Sequence, residues 1–474
     1  MSSPSTQKLS LGALISLVVG GMVGAGIFSL PRTFANATGP MGAIIAWIIA
    51  GTGMYMLARV FQSLAARKPD LDAGVFAYAK AGFGDYPGFL SAFGYWIGSC
   101  IGNVSYWVLI KSTLGAFFPF FGDGNTISAI LVASVGIWIF HFMILRGVQQ
   151  AAAINTIVTF AKIIPILVFI VILIFSFKLD LFSYNFYGGD LTGSIFEQVR
   201  ATMLVTVFVF LGIEGASVYS RFAKKRSDVG AATIIGFIGV TGLMVLVSML
   251  PYAVLARADI AGMRQPSMAA VLEAVVGHWG AIFVSVGLIV SVLGAYLAWS
   301  LICAEVMFTA ARNKDMPAIF ARENANKVPA NALWLTNIII QIFIITTYFS
   351  NDAFALMLNL TSAVGLIPYL FVAAYGFMIS KRGETYQLRP EERKRDLIIA
   401  GIAVVYTLFM IYAGGLKFIV LSAILYAPGT LLYIWSRREQ KEKVFRTSDW
   451  VIFGLVVIGA IFGVYGLASG YITI

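Results

Sequence analysis

Two long apolar stretches of this chain are each interrupted near the middle by glycines. The first, about Leu9 to Phe34, contains Gly20-Gly21-Met22-Val23-Gly24-Ala25-Gly26-Ile27-Phe28. The second, about Phe196 to Tyr219, contains Phe210-Leu211-Gly212-Ile213-Glu214-Gly215-Ala216-Ser217. Glycine weakens a helix by roughly 1 kcal/mol relative to alanine. An unpaired backbone group in lipid costs several kcal/mol, so unwound backbone at that depth survives only where it lines a cavity or is buried in protein. One break alone serves close packing of two helices equally well. Two breaks at matching places in two halves of a chain point to the substrate site of a secondary transporter.

Composition sets the solvent. Of 474 residues, 59% are hydrophobic and 12% charged, where a soluble protein has about 25% charged. Thirteen apolar segments are expected as spans, approximately 9–34, 42–66, 87–118, 126–145, 152–177, 197–220, 231–256, 278–311, 332–350, 353–379, 397–413, 416–436 and 450–472. The chain therefore reads as an all-α polytopic membrane protein. No small-residue cleavage site follows the first run, so no removable leader is expected.

A net charge of +11 would suit a nucleic-acid partner, but its distribution points elsewhere. With the N-terminus in the cytoplasm and sides alternating, 24 of the 33 Lys and Arg fall in cytoplasmic stretches. The richest are 221–226, 312–327, 381–395 and 437–446. That is the positive-inside bias. The clusters set topology against membrane lipid, and no nucleic acid is expected. Thirteen spans put Ile474 outside.

The first five and the next five segments each begin with a broken one. Five is odd, so the halves have opposite orientation and form an inverted repeat. The expected division is a cytoplasmic N-terminus at 1–8, a first five-helix repeat at 9–177, an inverted second repeat with its preceding outer loop at 178–379, and C-terminal helices 11–13 at 380–474. Cys100 and Cys303 lie within apolar runs and read as small core residues rather than a disulfide or metal pair. His141 and His278 show no ligand spacing, so neither a metal nor a cofactor is expected. The chain has no Gly-x-Ser-x-Gly elbow, His-Glu-x-x-His pair or phosphate-binding Gly-x-x-x-x-Gly-Lys-Ser/Thr loop. A membrane-embedded enzyme is thus only a remote alternative.

Specific wording narrows the class. Gly24-Ala25-Gly26-Ile27-Phe28-Ser29-Leu30-Pro31, Tyr95-Trp96 with Ile101-Gly102-Asn103, Gly212-Ile213-Glu214-Gly215-Ala216-Ser217, Trp299 and Pro368-Tyr369 resemble the amino acid–polyamine–organocation superfamily, in its basic amino acid/polyamine antiporter branch. Within that branch, Lys68-Pro69-Asp70-Leu71-Asp72, Tyr78-Ala79-Lys80-Ala81-Gly82-Phe83-Gly84, Ser267-Met268-Ala269-Ala270-Val271-Leu272-Glu273 and Arg322-Glu323-Asn324-Ala325-Asn326 are similar to bacterial arginine/ornithine antiporters. The resemblance covers nearly the whole chain, the thirteenth segment included. It implies a LeuT-like 5+5 fold with helices 1 and 6 broken, extra C-terminal helices, a bacterial inner membrane location and a homodimer.

The resemblance also implies a site. Amides of Gly24, Ala25 and Gly26 would take the substrate carboxylate, since helix N-termini bind anions. Carbonyls of Met22, Phe208 and Leu211 would take the ammonium. The arginine/agmatine branch has serine where this chain has Ala25, so one hydroxyl is missing. Trp299 would cover the cationic side chain by its ring face. Asn103 and unwound-edge carbonyls near Gly98 and Ser99 would accept its N–H groups, with Tyr95 and Thr361 lining the pocket. Glu214 would be a proton-sensing gate. The ammonium of Lys162, just before Pro165, would stand where coupled relatives hold sodium. Lys111 is left without a role, with outward snorkelling open to it. Arg59 reads as snorkelling from the inner end of its segment. Glu305 either draws cations to the inner vestibule or pairs with a basic loop. The expected function is one-for-one, sodium-independent exchange of arginine for ornithine by alternating access. Arginine/agmatine, lysine/cadaverine and histidine/histamine exchange are the alternatives.

Overall fold

The computed structural model describes residues 10–71, 75–147, 151–213, 224, 226–350, 352–387 and 389–473. Regular structure among them is helical throughout. Leu11–Met22 (α1) and Gly26–Ala37 (α2) flank the first break, and Pro40–Arg67 (α3) follows. Proline is at home at the first position of α3, where its missing N–H has no intrahelical partner to lose. A short helix, Val75–Phe83 (α4), leads into the long Asp85–Phe117 (α5). Ile127–Leu145 (α6) starts at Thr126, whose hydroxyl accepts from the Ala129 amide. Ala151–Phe175 (α7) turns by 104° into Leu179–Asn185 (α8).

Ile195–Phe210 (α9) opens on a reciprocal capping box between Ser194 and Glu197. Arg226–Met249 (α10) is followed by two short helices, Arg257–Gly262 (α11) and Ser267–Val276 (α12). Then come His278–Arg312 (α13), Ala330–Thr346 (α14), Ala353–Arg382 (α15), Pro390–Glu439 (α16) and Thr447–Ala468 (α17). The expected segments at 397–413 and 416–436 are the two arms of α16, separated at Gly415, where φ is +76°. Among the described residues, eight helices are individually long and apolar enough to cross a membrane, and two bent pairs, α1 with α2 and α7 with α8, reach that standard together. The protein is a multi-pass membrane protein.

The interior is built around α5 and α15, which lie against each other. The Gly98 face of α5 meets the Thr361 carbonyl and the Gly365 amide of α15. In a membrane, such small residues are what let backbones approach. α13 packs on α5 and α7, α1 on α10, and α17 on α16. Phe34 stacks on Trp47, Phe210 meets the Trp47 ring edge to face, and the Trp47 indole N–H donates to Ser248 Oγ at 2.9 Å. His141 is buried against Asn337, which in turn accepts from the Tyr296 hydroxyl.

Lys111 does not snorkel. It is 1% exposed and donates to Thr347 Oγ1 at 3.0 Å, inside the bundle. Asp123 and Gly124 of the following turn fold over this end of α5, and Arg264 there donates to the Ser112 and Gly122 carbonyls.

Candidate functional site

The two helix breaks touch. α1 stops at Met22, α2 starts at Gly26, and their axes differ by 43°. α9 stops at Phe210, after which Gly212 takes a left-handed φ of +100°. A Cβ on Gly212 would lie 2.8 Å from the carbonyl carbon of Gly21, so both the backbone turn and the approach require glycine. Short turns replace the helical ladder: Gly24 N donates to Met22 O at 3.0 Å, Leu211 N to Phe208 O at 3.3 Å, and Ile213 N to Phe210 O at 3.2 Å.

The first break carries a charge. Lys162 of α7 is 2% exposed and its ammonium donates to Gly20 O at 2.8 Å and Val23 O at 3.0 Å. These carbonyls belong to the C-terminal end of α1, where helical acceptors have no intrahelical partner and partial negative charge collects. A cation is the group that end favours.

Between the breaks lies a small chamber. Gly21, Met22, Gly24 and Gly26 form one wall, and Phe208, Val209 and Leu211 the next. α5 contributes Tyr95, Gly98, Ser99, Gly102 and Tyr106; α13 contributes Trp299; α15 contributes Thr361, Gly365 and Tyr369. Among the described residues no side chain caps α2, so the Gly26 and Ile27 amides at its start are left for whatever fills the space. Among the described residues the buried Thr361 hydroxyl has no hydrogen-bond partner.

Of the residues expected at a site, Met22, Gly24, Gly26, Tyr95, Gly98, Ser99, Phe208, Leu211, Trp299 and Thr361 line this chamber together. Two lie off it. Ala25 is fully buried, and its neighbours Gly24 and Gly26 face the space instead. Asn103 is also fully buried, one position past the lining Gly102, and its amide donates to Cys303 Sγ at 3.7 Å. The expected unwound edge near Gly98 and Ser99 is absent: α5 is helical throughout this stretch, so the carbonyls there belong to its ladder. The Ser99 hydroxyl donates back to Tyr95 O at 2.7 Å. Glu214 lies outside the described residues. Glu305 is exposed and accepts from Thr309 Oγ1 at 3.4 Å, well along α13 from Trp299.

Gly21, Gly102, Tyr106, Val209, Gly365 and Tyr369 also line the chamber, and sequence reasoning missed them. A signal existed. Residues 95, 98, 99, 102 and 106 follow the 3–4–7–11 spacing of one helical face, and 361, 365 and 369 follow the same rule on α15. Which faces meet was the missing knowledge.

Ionic clusters close both ends of the bundle. At the end bearing Arg32, that residue pairs with Asp352 at 3.1 Å, while the other Asp352 oxygen caps α15. Arg257 donates to Asp190 at 2.8 Å and to Ala35 O at 2.6 Å, and its guanidinium holds the Asp190 carboxyl below the usual range. At the opposite end, Arg67 stacks on Tyr386 and pairs with Glu392 and Asp396. Nearby, Lys80 reaches the buried Asp315 at 2.7 Å, and Asp85 receives Arg437 and Arg446. Burial pushes the Asp315 carboxyl up, against the pull of Lys80.

Comparison with known proteins gives the following. The family model for amino acid permeases matches residues 9–417. The chain is 53% identical to an arginine/ornithine antiporter of Pseudomonas aeruginosa over the full length of both. It is 40% identical to an L-lysine transport protein of Corynebacterium glutamicum, covering all of this chain and 98% of that one. It is also 40% identical to an arginine/agmatine antiporter of Chlamydia caviae over 97% of each.

Proposed function

Because this chain belongs to the amino acid permease family, we propose that it exchanges arginine for ornithine across a bacterial inner membrane, one for one. The observation that carries this reading is the contact of two helix breaks beside a chamber walled by an indole. An amino acid has a constant carboxylate and ammonium. The amides at the start of α2 suit the first, and the loosened carbonyls of Met22, Phe208 and Leu211 suit the second. The ring face of Trp299 suits a guanidinium or a side-chain ammonium. Thr361 Oγ1, buried and unpartnered among the described residues, is an acceptor for its N–H groups. Arginine and ornithine both carry +1, so their exchange moves no net charge and their own gradients drive it.

Lys162 makes the exchange sodium-independent: its ammonium already neutralises the α1 carbonyls that a sodium ion would otherwise face. Alternating access proceeds by moving the broken helices of a LeuT-like inverted repeat against the rest of the bundle, with Glu214 as the proton-sensing gate. The Arg32 end is then the outer gate and the Arg67 and Arg437 end the cytoplasmic one. Thirteen crossings follow if α5, α9 with the segment after it, and both arms of α16 each cross once. The N-terminus is cytoplasmic, and two copies form a dimer.

The test is counterflow in proteoliposomes. Vesicles loaded with ornithine should accumulate labelled arginine without sodium and without regard to membrane potential. Accumulation driven by internal agmatine or cadaverine, and sensitive to potential, would replace this pair with an amino acid/amine pair, because those amines carry +2.

A further inference from the structure

We propose that the Tyr106 hydroxyl is the side-chain donor to the substrate carboxylate, and that it makes the chamber prefer amino acids to their decarboxylated amines. This rests on the reading that a cationic amino acid occupies the chamber. Tyr106 lies on the chamber face of α5, its ring 6% exposed. Were a Cβ added to Gly24, the three nearest atoms would all belong to Tyr106, the hydroxyl first at 3.2 Å. The hydroxyl therefore faces the bare backbone of the first break, where the carboxylate is placed. Among the described residues nothing accepts from it or donates to it.

The backbone alone is short of donors here. The Gly24 amide, expected to serve the carboxylate, already donates to Met22 O at 3.0 Å. The Ala25 side chain is buried and carries no hydroxyl. The uncapped start of α2 supplies amides from one side, and Tyr106 supplies an O–H from the other. A phenol left unpaired in a low-dielectric chamber is costly, and a carboxylate is its strongest available acceptor. An amine without that carboxylate leaves the hydroxyl unsatisfied, which turns one hydrogen bond into discrimination.

The experiment is equilibrium binding of arginine and agmatine to the purified protein in lipid nanodiscs, wild type against Tyr106→Phe, with arginine/ornithine counterflow on the same preparations. Phenylalanine keeps the ring and its packing. A hydrogen bond to a charged group is worth about 1.5–3 kcal/mol, so arginine affinity should fall about tenfold to a hundredfold. Agmatine affinity should move less than about twofold, so the arginine-to-agmatine ratio collapses. Tyr106→Leu, which also removes the ring, should weaken both ligands while giving the same low ratio. An unchanged ratio in Tyr106→Phe, with wild type exchanging normally, would overturn the role of Tyr106 and leave the exchange reading standing. A wild type that neither binds arginine nor exchanges it would overturn both.

Discussion

The two breaks meet the same physical problem in different ways. Each ends a helix inside the protein and frees carbonyls that water cannot reach. At the α1–α2 break a remote side chain supplies the missing partner: Lys162, from α7, bonds two carbonyls at once. At the end of α9 the backbone supplies its own, through tight turns after Phe208 and Phe210 and a left-handed Gly212. The first break is held by charge and the second by shape. A charge acting through a long side chain tolerates small displacements, whereas a glycine pressed on another backbone does not. The pair thus combines one adaptable and one rigid surface around the chamber.

Removing the charge should have the largest effect. Lys162→Met keeps the stem and leaves Gly20 and Val23 carbonyls unpaired. With two charge-assisted bonds gone, the cost should be about 3 kcal/mol or more, visible as a lower melting temperature and loss of counterflow. Sodium-dependent recovery of transport in this variant would sharpen the comparison, since an ion would be replacing an ion. Sodium dependence of the wild type would break it.

Gly212→Ala comes next. It places a Cβ against Gly21 at a φ that side chains avoid, at a cost of about 2 kcal/mol. Sodium should give no recovery here, because the fault is steric. Equal rescue of both variants by sodium would mean that the two breaks are not held differently.

Trp299→Leu probes the space between them. Loss of a desolvated cation–π contact of roughly 2 kcal/mol should weaken arginine about thirtyfold. Trp299→Phe should fall between, and neutral citrulline should lose little. Equal losses for arginine and citrulline would assign the ring to shape alone. The smallest effect belongs to the rim. Arg32 and Asp352 are partly exposed, so the coupling in an Arg32→Gln, Asp352→Asn double-mutant cycle should stay under about 1 kcal/mol of stability. Transport rate is the more sensitive readout for a gate.

Much of this was legible in the chain because it depends on local chemistry. Glycines 21, 24, 26 and 212 announce broken helices to any reader who knows that lipid forbids free backbone. Lys162 announces a buried partner, because an ammonium that deep needs acceptors. The helices and their order follow from apolar runs. Local chemistry was silent on which helical faces meet. Asn103 and Tyr106 sit three residues apart on α5, yet Asn103 turns to Cys303 while Tyr106 faces Gly24. Lys111 looked free to reach a surface until the fold set Thr347 beside it.

The sequence by itself determined that the chain lives in a membrane and where its helices break. Those follow from transfer free energies and backbone valence, which act residue by residue. The tertiary structure alone decided that the two breaks touch, that Lys162 reaches carbonyls at both 20 and 23, and that α5 offers Tyr106 rather than Asn103 to the space between. A helix turns 100° per residue, so a small rotation fixed by packing far along the chain selects which side chain enters the chamber.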